Sequence, residues 1–342
     1  VSTEKKKVIH APLEIAGQVG LLCEFLRKAG YHATGYNYYT TYLNYQKIMN
    51  VDVFELMKII EPAIEFYDLF HFHNGYTFID DYRDIEMIGS KGKKMIMHHR
   101  GNDVRARTLA ARGAGYVNPY VNADCSLPDE QIHENLLRFS KTMSAAIVQD
   151  FELYYYVIDY YRAHGKNVYV LPRLIDTSVV LPVYTAERKE PPLVIHAPTN
   201  RDFKGSAIID AVIERLQTEI PLRYKRIEQM SHEEALQLYK KADIVIDQIL
   251  CGAYGNLSVE AMALGKPVIC YIRPDLVSLY PKDLPIVSAN PETLYYVLKE
   301  LAQDKEHRIH LGRQGRKFVE AHHEASRVIQ QLLKIYETVL SQ

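Results

Sequence analysis

Gly252-Ala253-Tyr254-Gly255-Asn256-Leu257-Ser258-Val259-Glu260-Ala261-Met262-Ala263-Leu264-Gly265-Lys266-Pro267-Val268-Ile269 reads as a glycine-rich turn followed by a short helix starting near Asn256. Gly265 closes that helix, and a strand begins at Pro267. A glycine-flanked helix N-terminus presents unpaired N–H groups and the positive end of the peptide dipole, so a phosphate binds there without a protein charge. Glu260, one turn in, is placed to accept hydrogen bonds from sugar hydroxyls, although a glutamate there also reads as an ordinary solvated side chain.

Upstream, Arg201-Asp202-Phe203-Lys204-Gly205-Ser206 follows a strand and precedes a helix that starts near Ser206. Its two cations suit a diphosphate, Arg offering a fork and Lys a point charge, or else they are plain solvent surface. That helix carries Ile208, Ile209, Val212, Ile213 and Leu216 as one apolar stripe. Strands are expected at 7–10, 69–73, 94–98, 145–148, 168–171, 193–196, 244–247 and 267–271. Strand runs alternating with helical periodicity along the whole chain make the class α/β.

Val8-Ile9-His10-Ala11-Pro12 reappears as Val194-Ile195-His196-Ala197-Pro198, as two domains opening on equivalent strands would give. The proline-bounded stretch from Leu181 to Pro192 reads as a connection between them. Val328, Leu332, Ile335 and Val339 share one face of a last helix.

The chain has 342 residues, room for two domains, with 41 Lys+Arg against 42 Asp+Glu. That balance offers no basic stripe to a nucleic acid, so any anion is held locally. Cys23, Cys125, Cys251 and Cys270 have neither zinc-site nor disulfide-framework spacing and read as reduced thiols. No apolar run approaches membrane-spanning length, and no leader-like run follows Val1 to Lys7, so a cytoplasmic protein is expected, with membrane contact at most peripheral. There is no G-x-G-x-x-G, which removes the main support for a dinucleotide-dependent dehydrogenase.

His196-Ala197-Pro198 through Arg201 and Lys204-Gly205, taken with Gly255 through Glu260-Ala261-Met262-Ala263, Gly265 and Pro267-Val268-Ile269, resembles the donor-binding half of GT-B glycosyltransferases of the retaining family 4 (group 1) type. Gly17-Gln18, Phe70 to Gly75, His98 to Arg105 and Leu171 to Asp176 have family counterparts as well. The resemblance implies two Rossmann-like domains facing each other across a cleft. Residues 1–175 would be the acceptor side and 176–322 the nucleotide-sugar donor side, with a helix over 323–342 returning to the N-terminal domain. It implies transfer of a sugar from a nucleoside-diphosphate sugar, with retention, to a glycan, lipid or small-molecule acceptor, and without a metal or other cofactor.

Carried over by position, Arg201 and Lys204 face the diphosphate, Leu257 and Ser258 offer it backbone amides, and Glu260 holds the ribose. Gly17 and Gly255 let backbone approach the donor, and His99 approaches the transferred sugar, with His98 second. One departure stands out. The family commonly has a glutamate seven residues before Glu260, where this chain has Gly252; Asp247 is the nearest replacement carboxylate. That departure keeps two other readings open: a nucleotide-sugar epimerase or hydrolase, and a non-catalytic sugar-nucleotide or glycan-binding protein. His71 and His73 share a strand face as metal ligands would, but no Cys or carboxylate of matching spacing joins them, and no D-x-D is present, so no metal site is expected.

Overall fold

Seven strands, β1 (Lys7–Ala11), β2 (His32–Asn37), β3 (Met49–Asn50), β4 (Leu69–His73), β5 (Lys94–His98), β6 (Ala145–Val148) and β7 (Asn167–Val170), form one sheet in the order β3-β2-β1-β4-β5-β6-β7. Four more, β8 (Leu193–His196), β9 (Arg223–Arg226), β10 (Ile244–Ile246) and β11 (Val268–Ile269), form a second in the order β11-β10-β8-β9. Every pairing within them is parallel. The computed structural model describes residues 5–111, 118–123, 127–184 and 190–342; Cys125 and residues 185–189 of the expected connection lie outside them.

Central strands of such sheets are covered on both faces, which is why β5, β6 and β8 are mostly apolar runs that the sequence alone locates, while β4, equally buried, alternates Leu69, Phe70 and Phe72 with His71 and His73. β2, β3 and β9 escape that reading. β9 is Arg223-Tyr224-Lys225-Arg226, a charged strand on a sheet edge, where one side needs no apolar cover. β3 is two residues long, and β2 is His32-Ala33-Thr34-Gly35-Tyr36-Asn37, with little apolar signal.

The chain divides into two compact units: Val1–Ala106, Ser126–Leu174 and Ala325–Gln342 form one, and Arg107–Cys125 with Ile175–Glu324 the other. The described residues between 107 and 123 therefore group with the second unit, whereas the sequence reading keeps 1–175 together. In the first unit, Val328, Ile329, Leu332 and Val339 of the last helix, Ala325–Leu340, bury against Val19, Leu22 and Leu26 of the helix Gln18–Lys28 and against the sheet. In the second, Ile209, Ile213 and Leu216 of the helix Ser206–Gln217 join Val194, Ile244, Ile246 and Ile269 in the core. Ile208 sits on the exposed edge of that stripe.

Both sheets reverse their winding, the first between β1 and β4 and the second between β8 and β10. Outside the carboxyl ends of strands at such a reversal lies the usual ligand crevice of an open α/β sheet. In the second unit the segments that follow β8 and β10 carry Arg201, Lys204, Asp247 and Gly255. In the first, His10, His73 and His98 stand at or next to the ends of β1, β4 and β5.

Candidate functional site

Asp247, just past β10, is wholly buried and organises the turn before the helix Asn256–Ala263. Its Oδ2 accepts hydrogen bonds from the Gly255 N–H at 2.7 Å and the Ser258 hydroxyl at 2.7 Å. Its Oδ1 pairs with the Lys204 ammonium at 2.6 Å, and Gln248 Oε1 accepts from the same ammonium at 2.7 Å. Burial pushes the Asp247 carboxyl up, but the Lys204 charge and the Ser258 and Gly255 hydrogen bonds outweigh it and hold the group below the usual carboxylate range. A Cβ at Gly255 would lie 3.2 Å from Lys204 Nζ and 2.9 Å from Asp247 Oδ2, so the backbone and the cation meet only because this residue is glycine. The first-turn N–H groups of Leu257 and Ser258 have no intrahelical acceptor, and Asn256 Oδ1 is buried beside them without a partner among the described residues. A cation, helix-end donors and a buried acceptor thus share one place.

The remaining candidates of this unit are distributed around that place. Arg201 starts the short helix Arg201–Lys204, but its guanidinium is exposed and binds Glu228 in a fork at 2.6 and 2.7 Å. The two expected cations are therefore not presented together. Glu260 does not stand alone either: its Oε1 is held by His232 Nε2 at 2.6 Å. Asp247, the replacement carboxylate considered above, spends both oxygens on Lys204, Gly255 and Ser258. Gly252 has φ +86°, and a Cβ built there would overlap Arg273 Cγ. The position where the family has glutamate is thus closed to any side chain unless Arg273 moves.

In the first unit Gly17 precedes the helix Gln18–Lys28 and lies under the Tyr45 ring. His99 is buried; its Nδ1 meets Asp103 Oδ2 at 2.6 Å and its Nε2 meets the Tyr161 hydroxyl at 3.1 Å. Both ring nitrogens are engaged within the protein, so His99 stands here as a buried core residue and not as an open ligand of the transferred sugar. The reason lies at β5: His98 ends the strand, and the turn after it is folded around Asp103, which also accepts from the Arg100 and Gly101 N–H groups.

His10, His71 and His73 come together on one face of the sheet, with ligand-type atoms within 4.8 Å of one another. Tyr336, from the last helix, bridges His71 Nδ1 at 2.6 Å and His10 Nε2 at 3.1 Å. Arg100 Nη2 lies 3.1 Å from His73 Nδ1. A guanidinium can only donate, so His73 Nδ1 is the acceptor and the single ring proton is on Nε2, the nitrogen that faces His10. That proton placement and the adjacent positive charge oppose chelation. Burial, reinforced by Arg100, takes His10 down to about 3 and keeps His71, His73 and His98 well below the usual imidazole range, so all four rings are neutral.

Residues 188–334 match the family model described as glycosyl transferase-like. The chain as a whole is similar in fold to sucrose-phosphate synthase from Thermosynechococcus elongatus, with 13% identity, a TM-score of 0.64, and coverage of 98% of this chain and 100% of that one. Anabaena Alr3699/HepE in complex with UDP-glucose gives 11% identity, TM-score 0.64 and coverage of 97% and 99%. A glycosyltransferase from Rickettsia africae gives 12%, 0.65, and 99% of both chains. No protein of curated function matches the sequence. These likenesses establish the GT-B fold over the full chain, with its two Rossmann-like units.

Within the matched stretch, the sequence reading names Lys204, Gly255, Ser258 and Glu260 as candidates but not the side chains that hold them. Gln248 and His232 are ordinary polar residues in sequence, 44 and 28 positions from the side chains they bind. Gln248 directly follows the strand-end Asp247, which is a usable signal; His232 carries none. Arg100 carries no sequence signal that distinguishes it beside the His98-His99 pair.

Proposed function

We propose that the protein is a glycosyltransferase that takes its sugar from a nucleoside diphosphate, with the diphosphate at the N-terminus of the helix Asn256–Ala263 and beside Lys204. The observation that carries this reading is the meeting of the Lys204 ammonium with the Gly255 backbone at that helix end. Negative charge grows on the departing diphosphate as the anomeric C–O bond breaks, and a preorganised ammonium and N–H donors stabilise it in the transition state. Losing one such donor typically slows a reaction roughly 100- to 1000-fold. The binding of UDP-glucose by Alr3699/HepE, of the same fold, supports a sugar nucleotide as the donor. Glu260, with one carboxylate oxygen held by His232, keeps the other for the ribose hydroxyls. Arg201 joins the diphosphate only after leaving Glu228.

The reaction we favour retains configuration and proceeds on the donor's own face without a metal, because the sequence offers no obvious carboxylate nucleophile of the kind a retaining glycosidase uses. Charge on the leaving group is met by Lys204 and the helix end. The acceptor is a glycan, a lipid headgroup or a small hydroxyl compound.

Gly252 under Arg273 favours a second reading, a non-catalytic sugar-nucleotide-binding protein. Thermal denaturation against a panel of nucleoside diphosphates and their sugars, on wild type, Lys204→Ala and Glu260→Ala, tests the donor site. Stabilisation of wild type alone supports it, and no response at millimolar nucleotide ends it. Release of nucleoside diphosphate only when an acceptor is added then separates transfer from binding and from hydrolysis.

A further inference from the structure

The histidine cluster of the first unit has a direction. Arg100 Nη2 donates to His73 Nδ1 at 3.1 Å. His73 is neutral, so its proton is on Nε2 and is donated to His10 Nδ1 at 3.0 Å. His10 then carries its proton on Nε2 and donates to the Tyr336 oxygen at 3.1 Å. The Tyr336 hydroxyl, which burial keeps protonated, donates to His71 Nδ1 at 2.6 Å. His71 in turn donates from Nε2 to His98 Nδ1 at 3.2 Å, and the last proton resides on His98 Nε2. That atom is buried in a residue only 2% exposed and has no partner among the described residues.

Neutral imidazole has one donor and one acceptor, so each link dictates the next, and a guanidinium at the head permits one sense only. The rings stack at centroid distances of 4.4 Å for His10 and His71 and 4.7 Å for His71 and His73, which keeps their edges in line.

We propose that Arg100 is a positioning residue that locks His73, His10, Tyr336, His71 and His98 in a single hydrogen-bond sense, so that His98 presents an Nε2–H donor to a neutral hydroxyl-type oxygen beside the carboxyl end of β5. A neutral acceptor fits the charge present: Glu14 and Asp103 face Arg100 and support its charge, Arg173, itself paired with Asp150, opposes it, and His10, His71, His73 and His98 are uncharged. A donor buried without an acceptor is costly, which is the physical reason an oxygen belongs there. Two sources supply that chemistry, an ordered water and a substrate hydroxyl. The inference holds whether or not the diphosphate site of the second unit is as proposed.

Nitrogen NMR of ring-labelled histidine in the full chain is the test, because protonated and bare ring nitrogens resonate far apart. The expected result is that His10, His71, His73 and His98 are all neutral Nε2–H tautomers in the wild type. Any of them as Nδ1–H or doubly protonated at neutral pH overturns the chain. Arg100→Met releases the sense, so His98 becomes a tautomer mixture, and Arg100→Lys, which still donates, restores it; an unchanged His98 in Arg100→Met overturns the role of Arg100. Tyr336→Phe separates the chain, leaving His73 and His10 ordered and freeing His71 and His98. Crystals grown with and without UDP-glucose identify the oxygen. An atom on His98 Nε2 in both is water, one seen only with the sugar nucleotide is a ligand hydroxyl, and none in either overturns the proposed acceptor.

Discussion

Lys204 Nζ and Asp247 Oδ1 lie 2.6 Å apart, a pair that joins the segment after β8 to the segment after β10. The Asp247 side chain is fully buried and that of Lys204 is 11% exposed, so the pair is shielded from solvent. Removing one charge strands the other. Asp247→Asn is therefore expected to cost about 3–5 kcal/mol, and urea denaturation measures it. A loss under 1 kcal/mol would show that the ammonium readily finds water.

The two cations of the expected clamp should separate in a binding experiment. At about 100 times its dissociation constant a nucleoside diphosphate stabilises wild type by roughly 2.7 kcal/mol. Lys204→Ala is expected to abolish that gain. Arg201 is exposed and engaged by Glu228, so Arg201→Ala should keep most of it and leave the ligand-free melting temperature unchanged. The reverse order would mean that Arg201 swings onto the ligand and Lys204 does not.

Gly252→Glu restores the family's usual residue at a place where it does not fit. The backbone is left-handed there and a Cβ overlaps Arg273. The single variant should express poorly or melt lower than wild type, and adding Arg273→Ala should recover part of the loss while leaving the backbone penalty. Equal melting temperatures for Gly252→Glu and wild type would dismiss the steric argument.

His99→Phe leaves the Asp103 carboxylate and the Tyr161 hydroxyl without their shared partner. The expected cost is about 2–4 kcal/mol of stability. Nucleotide-induced stabilisation, measured on the protein that still folds, should be unaltered. Loss of ligand response at unchanged stability would return His99 to the substrate.

Acid should unfold the first unit early. His10, His71, His73 and His98 have folded-state pKa values depressed by burial and then by neighbouring charges, to about 3 for His10. In the unfolded chain each titrates near 6.5. As pH falls below about 6.5 the unfolded state takes up protons that the folded state refuses, so stability is full above that value and declines down to the folded pKa values. Four such groups give a slope approaching about 5 kcal/mol per pH unit once they are all protonated in the unfolded chain. Urea midpoints measured from pH 7.5 to 5 check this, and a flat profile would mean that the rings are already charged or exposed.

How far the sequence could be read follows from where each signal originates. β5, β6 and β8 were legible at their observed bounds because burial on both faces leaves a mostly apolar run bounded by polar residues, and β4 at its bounds although histidines alternate in it. The turn-helix-strand at 252–269 was legible because glycine and proline punctuate it locally. β9 was not, since an edge strand is under little pressure to look apolar. Gly255 could be recognised as the place for a close approach, but not what approaches it: the cation comes from Lys204, 51 residues earlier.

Composition, apolar periodicity and the residues from Gly252 to Ile269 by themselves determined the class, the parallel sheets and the helix end suited to a phosphate. Those features depend on local backbone preference and on which side chains must leave water, and both are written within a few residues. Which nitrogen of His98 carries a proton, whether His99 is free, where Arg201 points and whether position 252 has room were decided only by the tertiary structure. Each depends on a partner brought from a distant part of the chain, such as Tyr336 beside His10, and on the burial that makes that partner obligatory.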